Sequence, residues 1–276
     1  MTTLFNNADN QDNSLSDQNF DTLEEKFHRK IYGGLKGDIR LAVLKKDLSE
    51  FCARSFLFSD VPSGQAPLNV LDAGGGYGPF SIHLAEMGHK LTLCDISEKM
   101  LEKAKAEFAK KDLAIVPEFL HCPIQKLDKN HKNKYDLVLC HAVLEWVQTP
   151  KDILSHLYEY LKADGILSLT FYNINGMIFK NLLRTNYKKI LKQDYTGWPG
   201  SLTPTHPLES EQVLSWLKQL KFEILCHSGI RVFHDYILDL VDKNKSPQTV
   251  LDLEVQFSRK KPFRDMGRYQ HILCKK

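Results

Sequence analysis

Val70-Leu71-Asp72-Ala73-Gly74-Gly75-Gly76-Tyr77-Gly78 decides how this chain is read. A short apolar run from Leu68 to Leu71 ends at Asp72 and passes into a glycine-rich turn. That order describes a buried strand feeding a tight turn that opens a helix. Glycine serves such a turn because it takes positive φ without strain and lets the backbone approach a ligand closely. The spacing is D-x-G-x-G-x-G, through Asp72, Gly74, Gly76 and Gly78. A nicotinamide enzyme would carry G-x-G-x-x-G, and here the third glycine position holds Pro79, which disfavours that reading.

Downstream, strand and helix alternate. The pattern predicts a helix around Phe80 to Met87 with Gly88 as its C-cap, then a strand from Lys90 to Cys94 ending at Asp95. Ser97 can cap a helix reaching about Lys111. Strands follow at Glu118 to His121 and Tyr135 to Cys140, a helix at Lys151 to Lys162, and a fifth strand at Ile166 to Phe171. A helix near Glu211 to Leu220 and strands at Phe222 to Cys226 and Tyr269 to Cys274 complete the series. The expected fold class is α/β: a Rossmann-like, mostly parallel seven-stranded sheet flanked by helices, over residues 66–276. Residues 176–207 break the rhythm with a basic helix and a Gly/Pro-rich half, and read as a lid insertion after the fifth strand.

Upstream, Phe20, Leu23, Phe27 and Ile31, then Ile39, Val43, Leu44 and Leu48, recur at helical steps. Residues 20–60 therefore read as N-terminal helices covering the site. Residues 1–19, rich in Asn, Asp, Gln and Ser, read as a disordered tail.

Composition narrows the class without naming the chemistry. With 42% hydrophobic and 26% charged residues the chain is globular, and no apolar run reaches the roughly 18 residues of a membrane span. The six cysteines have no zinc or redox spacing. Three neighbour a histidine on or beside predicted strands, where adjacent side chains face opposite ways, so no metal is expected. Free thiols fit a reducing, cytoplasmic setting. The net charge of +3 says little alone about nucleic acid.

Ligands of open α/β sheets sit outside the carboxyl ends of the strands. Those ends hold the glycine loop, then Asp95, placed about 20 residues on to grip ribose hydroxyls. They also hold His121-Cys122 with Gln125 after it, and Cys140-His141.

The glycine loop resembles the first motif of the class I S-adenosylmethionine-dependent methyltransferases. The segment His141-Ala142-Val143-Leu144-Glu145-Trp146-Val147 resembles a second block of that family. A narrower pattern is similar to the bacterial tRNA 5-carboxymethoxyuridine methyltransferases. It is carried by Lys26-Phe27, Arg29, Ile31-Tyr32-Gly33, Lys36-Gly37 and Arg40 near the start. Cys94-Asp95, His121-Cys122, Phe171-Tyr172-Asn173, Gly229-Ile230-Arg231-Val232-Phe233-His234-Asp235-Tyr236 and Gly267-Arg268-Tyr269 carry it further.

That resemblance implies S-adenosyl-L-methionine as cofactor, held by Arg40, Asp72, Gly74, Gly75, Gly76, Asp95, Ile124, Gln125 and His141. Arg40 would pair with the cofactor's methionine carboxylate; by position alone it reads as a solvated helix arginine. The implied partner is tRNA, at the anticodon stem-loop with its modified wobble uridine, with no membrane and no metal. Two departures stand out: Pro123-Ile124 where relatives carry smaller residues, and Gly197-Trp198-Pro199-Gly200 where relatives carry a lysine run.

The implied nucleophile is a substrate carboxylate, ionised at neutral pH, so no general base is required. Candidates for positioning it are Arg231, His234 and Tyr236, with Tyr172 and Asn173 at the end of the fifth strand. Strand alternation would put Arg231 and Phe233 on one face and His234 and Tyr236 on the other. Lys45-Lys46, Lys188-Lys189 and Arg259-Lys260-Lys261 with Arg264 are the basic clusters available to phosphates. Two other readings stay open: a carboxyl methyltransferase for a small molecule or acyl carrier, and a non-catalytic RNA-binding or regulatory protein on this fold.

Overall fold

Asn69–Ala73 (β1) lies near the middle of a seven-stranded sheet, with Lys90–Asp95 (β2) on one side and Tyr135–His141 (β4) on the other. This is a computed structural model, and it describes residues 33–52, 57–195, 203–204, 206–243 and 245–276. The remaining strands are Glu118–His121 (β3), Leu161–Tyr172 (β5), Glu223–Ile230 (β6) and Tyr269–Lys275 (β7). Their order is β3-β2-β1-β4-β5-β7-β6, parallel except for β7, which runs antiparallel between β5 and β6. The α/β class and its mostly parallel sheet are as the alternation predicts.

Both faces of this sheet are covered, so β4 runs Leu137-Val138-Leu139-Cys140 without alternating with polar residues. Leu137 and Leu139 of β4 join one buried cluster, and Val138 and Cys140 join the other. The first cluster is closed by Leu35–Phe51 (α1), Ser81–Glu86 (α2) and Glu98–Phe108 (α3). The second is closed by Pro150–Tyr160 (α4) and Ser210–Gln219 (α7). Ser97 caps α3 by accepting from the Met100 N–H at 3.2 Å, and Met100, Leu101, Ala104 and Phe108 form its buried stripe. A truncation such as Leu139→Ala should cost about 2–5 kcal/mol, because fully buried leucines leave cavities.

Some boundaries move. The helix expected to reach Lys162 ends at Tyr160, whose hydroxyl donates to the Ile124 carbonyl at 2.7 Å. Leu161 already pairs with Tyr135, and an irregularity between Tyr135 and Leu137 precedes the regular ladder from Ile166. β6 runs four residues past Cys226, to Ile230. After β5 the chain forms Ile174–Leu183 (α5) and Tyr187–Leu191 (α6). Leu240–Lys243 (α8) and Pro247–Phe257 (α9) lie between β6 and β7. The N-terminal tail, the first expected helix with Lys26-Phe27 and Arg29, and Gly197–Gly200 of the expected lid lie outside the described residues.

Candidate functional site

The strand order reverses between β1 and β4, and there the glycine loop turns the chain from β1 into α2. The N–H groups of Gly74 and Gly75 both donate to the Cys94 carbonyl, at 2.9 and 3.2 Å, tying the loop to the end of β2. Gly74 sits at φ 70°, and a Cβ on it would stand 2.6 Å from Val143 Cγ2. Gly75 is required for another reason: a Cβ there would meet the Asp72 carboxyl carbon at 2.5 Å. Asp72 thus lies under the loop, accepting from Ser81 Oγ at 2.6 Å, and is not on the cavity wall. Burial pushes its carboxyl up to about 7, against the Ser81 hydrogen bond and with the help of the Asp95 charge.

Asp95 closes β2 with both oxygens engaged: Oδ2 accepts from the Gly76 N–H and Oδ1 from the Ser97 N–H, each at 2.8 Å. In front of the loop opens a cavity bounded by Gly74, Gly75, Gly76, Asp95, Ile124, Gln125 and His141. Ile96, Met100, Val143, Trp146 and Val147 make most of its walls apolar. Gly76 offers open space where a Cβ would stand. Ile124 is buried while the adjacent Gln125 is exposed. His141 donates or accepts through Nε2 at Ser168 Oγ, 2.9 Å away, and meets the Phe80 ring edge-on. Burial, reinforced by His271 and Arg40, holds the His141 pKa well below the ordinary histidine range.

Arg40 is not solvated. It lies on the inner face of α1 at 2% exposure, with its guanidinium carbon 4.3 Å from the centroid of the Tyr269 ring. Arg40 does not bound the main cavity, but its charge reaches both His141 and the buried Glu145. Burial pushes Glu145 up to about 7, with Arg40 opposing the shift.

A second cluster gathers beyond Tyr269. Arg231 lies 5.3 Å from the centroid of the same ring. The alternation expected across residues 231–236 does not occur, because β6 stops at Ile230. Arg231 takes φ 59°, and His234–Tyr236 forms a 3-10 turn. The turn is held by Glu254 of α9, whose carboxylate accepts from the N–H groups of Val232, Phe233 and His234 at 2.6, 3.1 and 2.7 Å. Inside it Asp235 is buried and faces Arg231 at 3.7 Å, Arg268 at 3.7 Å and Lys180 at 3.8 Å. Burial works to raise its pKa, but Arg231, Lys180 and Arg268, with Lys36 behind them, hold the carboxyl well below the usual range. Three cations around one carboxylate leave positive charge for a further anion.

The other substrate-side candidates divide. His234 is buried, neither ring nitrogen has a hydrogen-bond partner among the described residues, and burial with Lys243 takes its pKa down to about 4. Tyr172 stacks edge-on with Tyr269 and carries the Arg268 guanidinium 4.6 Å above its ring. Asn173 donates to the Asp265 and Gly267 carbonyls at 2.9 and 2.8 Å, and Tyr236 donates to the Met266 carbonyl, so both are occupied in holding loops. Arg268, Lys180, Asp235 and Glu254 were not singled out as site residues by sequence. Asp235, inside the Gly229–Tyr236 block, and Arg268, beside Tyr269 in the Gly267-Arg268-Tyr269 block, carried a signal, whereas Lys180 and Glu254 carried none.

Among the basic clusters, Arg259 is bound to Asp47 and Glu50, and Arg264 to Asp265, so these arginines serve the fold. Lys45, Arg184, Lys188 and Lys192 are exposed. No group of three or more His, Cys, Asp or Glu among the described residues could hold a metal ion, and no described helix is long and apolar enough to cross a membrane.

Residues 71–169 match the family model described as a methyltransferase domain. The chain is 36% identical over 262 residues to the tRNA 5-carboxymethoxyuridine methyltransferase of Escherichia coli K12, covering 95% of this chain and 97% of that protein. It is 30% identical over 112 residues to the ubiquinone biosynthesis O-methyltransferase of Psychrobacter cryohalolentis, covering 41% of this chain and 44% of that one. Among solved structures, the magnesium protoporphyrin IX methyltransferase of Synechocystis with bound SAH shares the fold. Its TM-score is 0.58 at 21% identity, over 93% of this chain and 96% of that one.

Proposed function

The chain belongs to the tRNA 5-carboxymethoxyuridine methyltransferase family, and from that premise we propose that it methylates the carboxylate of 5-carboxymethoxyuridine at the tRNA wobble position, within the anticodon stem-loop. The product is the methyl ester. The observation that carries this reading is the reach of the likeness. It extends over 95% of the chain, whereas the general methyltransferase match stops at 71–169, short of Arg40 on one side and Arg231 on the other.

The residues present fit S-adenosyl-L-methionine: backbone that comes close at Gly74–Gly76, a strand-end carboxylate at Asp95, apolar walls beside Ile124 and Gln125, and a buried guanidinium at Arg40. When bound, that cofactor supplies a methyl group on a positively charged sulfur. Arg40 pairs with its methionine carboxylate as a planar fork, Asp95 takes the ribose hydroxyls, and Gln125 and Ile124 hold the adenine. His141 faces the methionine end.

On the substrate side Arg231, Arg268 and Lys180 hold the carboxylate and His234 adds a neutral contact, while Tyr172 shapes the wall and Asn173 and Tyr236 keep the loops in place. The carboxylate is already ionised, so these residues need only align it and exclude water. Held in line by these residues, the carboxylate oxygen would take the methyl group that the bound cofactor would supply, with the neutral thioether as leaving group and the opposite charges cancelling. Lys45, Arg184, Lys188 and Lys192 contact tRNA phosphates. The setting is the cytoplasm, where tRNA is modified.

The test is a nucleoside mass analysis. Purified protein with labelled S-adenosyl-L-methionine and bulk tRNA from cells lacking the gene should convert 5-carboxymethoxyuridine to its methyl ester, and Asp95→Ala should abolish this. Cofactor binding without conversion would sink the tRNA reading and turn attention to small carboxylic acids.

A further inference from the structure

A continuous line of buried polar groups crosses the sheet from the cavity to α1. His141 Nε2 lies 2.9 Å from Ser168 Oγ on β5, and Ser168 Oγ lies 3.0 Å from His271 Nε2 on β7. His271 Nδ1 lies 2.7 Å from Asp47 Oδ2, and Asp47 Oδ1 accepts from Arg259 Nε at 3.0 Å. Ser168, His271 and Asp47 are fully buried. The cavity chemistry described above uses only the first member, His141.

We infer that Asp47, His271 and Ser168 are positioning residues that fix which nitrogen of His141 carries its proton, and so what His141 offers to a bound cofactor. This inference rests on the proposed role of His141 at the methionine end. Asp47 can only accept, so His271 Nδ1 carries a proton. With Arg259 already on the Asp47 carboxylate, the neutral imidazole form of His271 has its proton on Nδ1, and its Nε2 then accepts from the Ser168 hydroxyl. With its one proton committed to His271, Ser168 Oγ can only accept at its other contact, so His141 Nε2 is the protonated nitrogen.

His141 Nδ1 is thereby left bare. It has no hydrogen-bond partner among the described residues, and His141 bounds the cavity. A bare Nδ1 is an acceptor, the partner an amino acid's ammonium group requires. The opposite polarity would present an N–H to that ammonium, setting donor against donor. The depressed pKa of His141 agrees with a neutral ring there.

Two-bond proton–nitrogen correlation spectra of histidine-labelled protein read the tautomer directly, with His141 assigned through its loss in His141→Gln. The expected result is a single Nε2–H tautomer of His141, with and without S-adenosylhomocysteine. An Nδ1–H tautomer in the unmodified protein would overturn the relay.

Ser168→Ala should then give mixed tautomers and roughly ten-fold weaker S-adenosylhomocysteine binding by calorimetry, since a hydrogen bond to a charged group has lost its fixed acceptor. Ser168→Thr keeps the hydroxyl and should restore both. Thermal unfolding checks that each variant folds, and the tautomer measurement needs no relay variant at all. Wild-type affinity in a folded Ser168→Ala would remove the positioning role. If His141→Gln itself binds S-adenosylhomocysteine normally, the cofactor contact proposed above is what fails, and the tautomer spectrum still decides the relay.

Discussion

Arg40 rests its guanidinium 4.3 Å from the centre of the Tyr269 ring, and the ring thereby joins the two halves of the site, because Arg231 lies 5.3 Å from the same centre. The aromatic faces attract both cations where the low-dielectric interior would otherwise leave them to repel. Tyr269→Leu removes that attraction and should weaken both S-adenosylhomocysteine and tRNA binding by about three- to thirty-fold. Tyr269→Phe keeps the ring and should leave both near the starting values. Calorimetry and filter binding measure the two affinities; a Tyr269→Leu variant affected in neither would disprove the shared role.

Arg40→Lys keeps the charge and loses the planar fork. S-adenosylhomocysteine affinity should drop by roughly ten-fold or more, because a lysine cannot make the paired contact to a carboxylate. An unchanged affinity would show that Arg40 acts only through its charge or only in the fold.

Arg231→Met and Arg268→Met should each lower kcat/KM for tRNA by about a hundred-fold, with cofactor affinity unaltered, if the cations around Asp235 hold the substrate anion. Steady-state kinetics with a separate calorimetric titration distinguish this from damage to the cofactor side. Loss of both properties together would point to collapse of the turn.

Gly75→Ala drives a methyl into the Asp72 carboxyl, which stands at 2.5 Å from the required Cβ position. The expected loss of stability is about 1–3 kcal/mol, accompanied by loss of cofactor binding. Asp72→Ala in the same background should recover part of the stability, since the two changes share one collision. Additive losses in denaturant titrations would rule the collision out.

Asp47 and Asp72 act on stability in opposite directions over adjoining pH ranges. Burial works to raise Asp47, but hydrogen bonds from His271, Ser228 and Arg259 bring it down to about 2 from 3.8. A depressed carboxyl stabilises the fold above its unfolded pKa, so about 2 kcal/mol should be lost as pH falls from about 4 to 2. Asp72 is raised to about 7, so between about 4 and 7 the folded state retains a proton that the unfolded chain has released. Its contribution is full below 4 and declines as pH rises through 7, with Glu145 adding in the same sense. Urea titrations across pH should show both limbs. Asp47→Asn should flatten the acid limb, and Asp72→Asn should shrink the decline above 4; an unchanged slope in either variant would reject that assignment.

By itself the sequence determined the α/β order, the glycine turn and the strand ends that carry Asp95, Gln125 and His141, because all of these depend on neighbours within a few residues. Turn geometry demands glycine locally, and apolar runs mark strands locally. Only the tertiary structure decided what distant segments do to one another. It buried Arg40 against Tyr269, ended β6 at Ile230 so that alternation stopped before Arg231, and brought Lys180 and Arg268 to Asp235. It also set Asp47 against His271, 224 positions away. No periodicity records such pairs, since whether a charge is buried depends on the partner that compensates it, and that partner arrives only when the sheet closes.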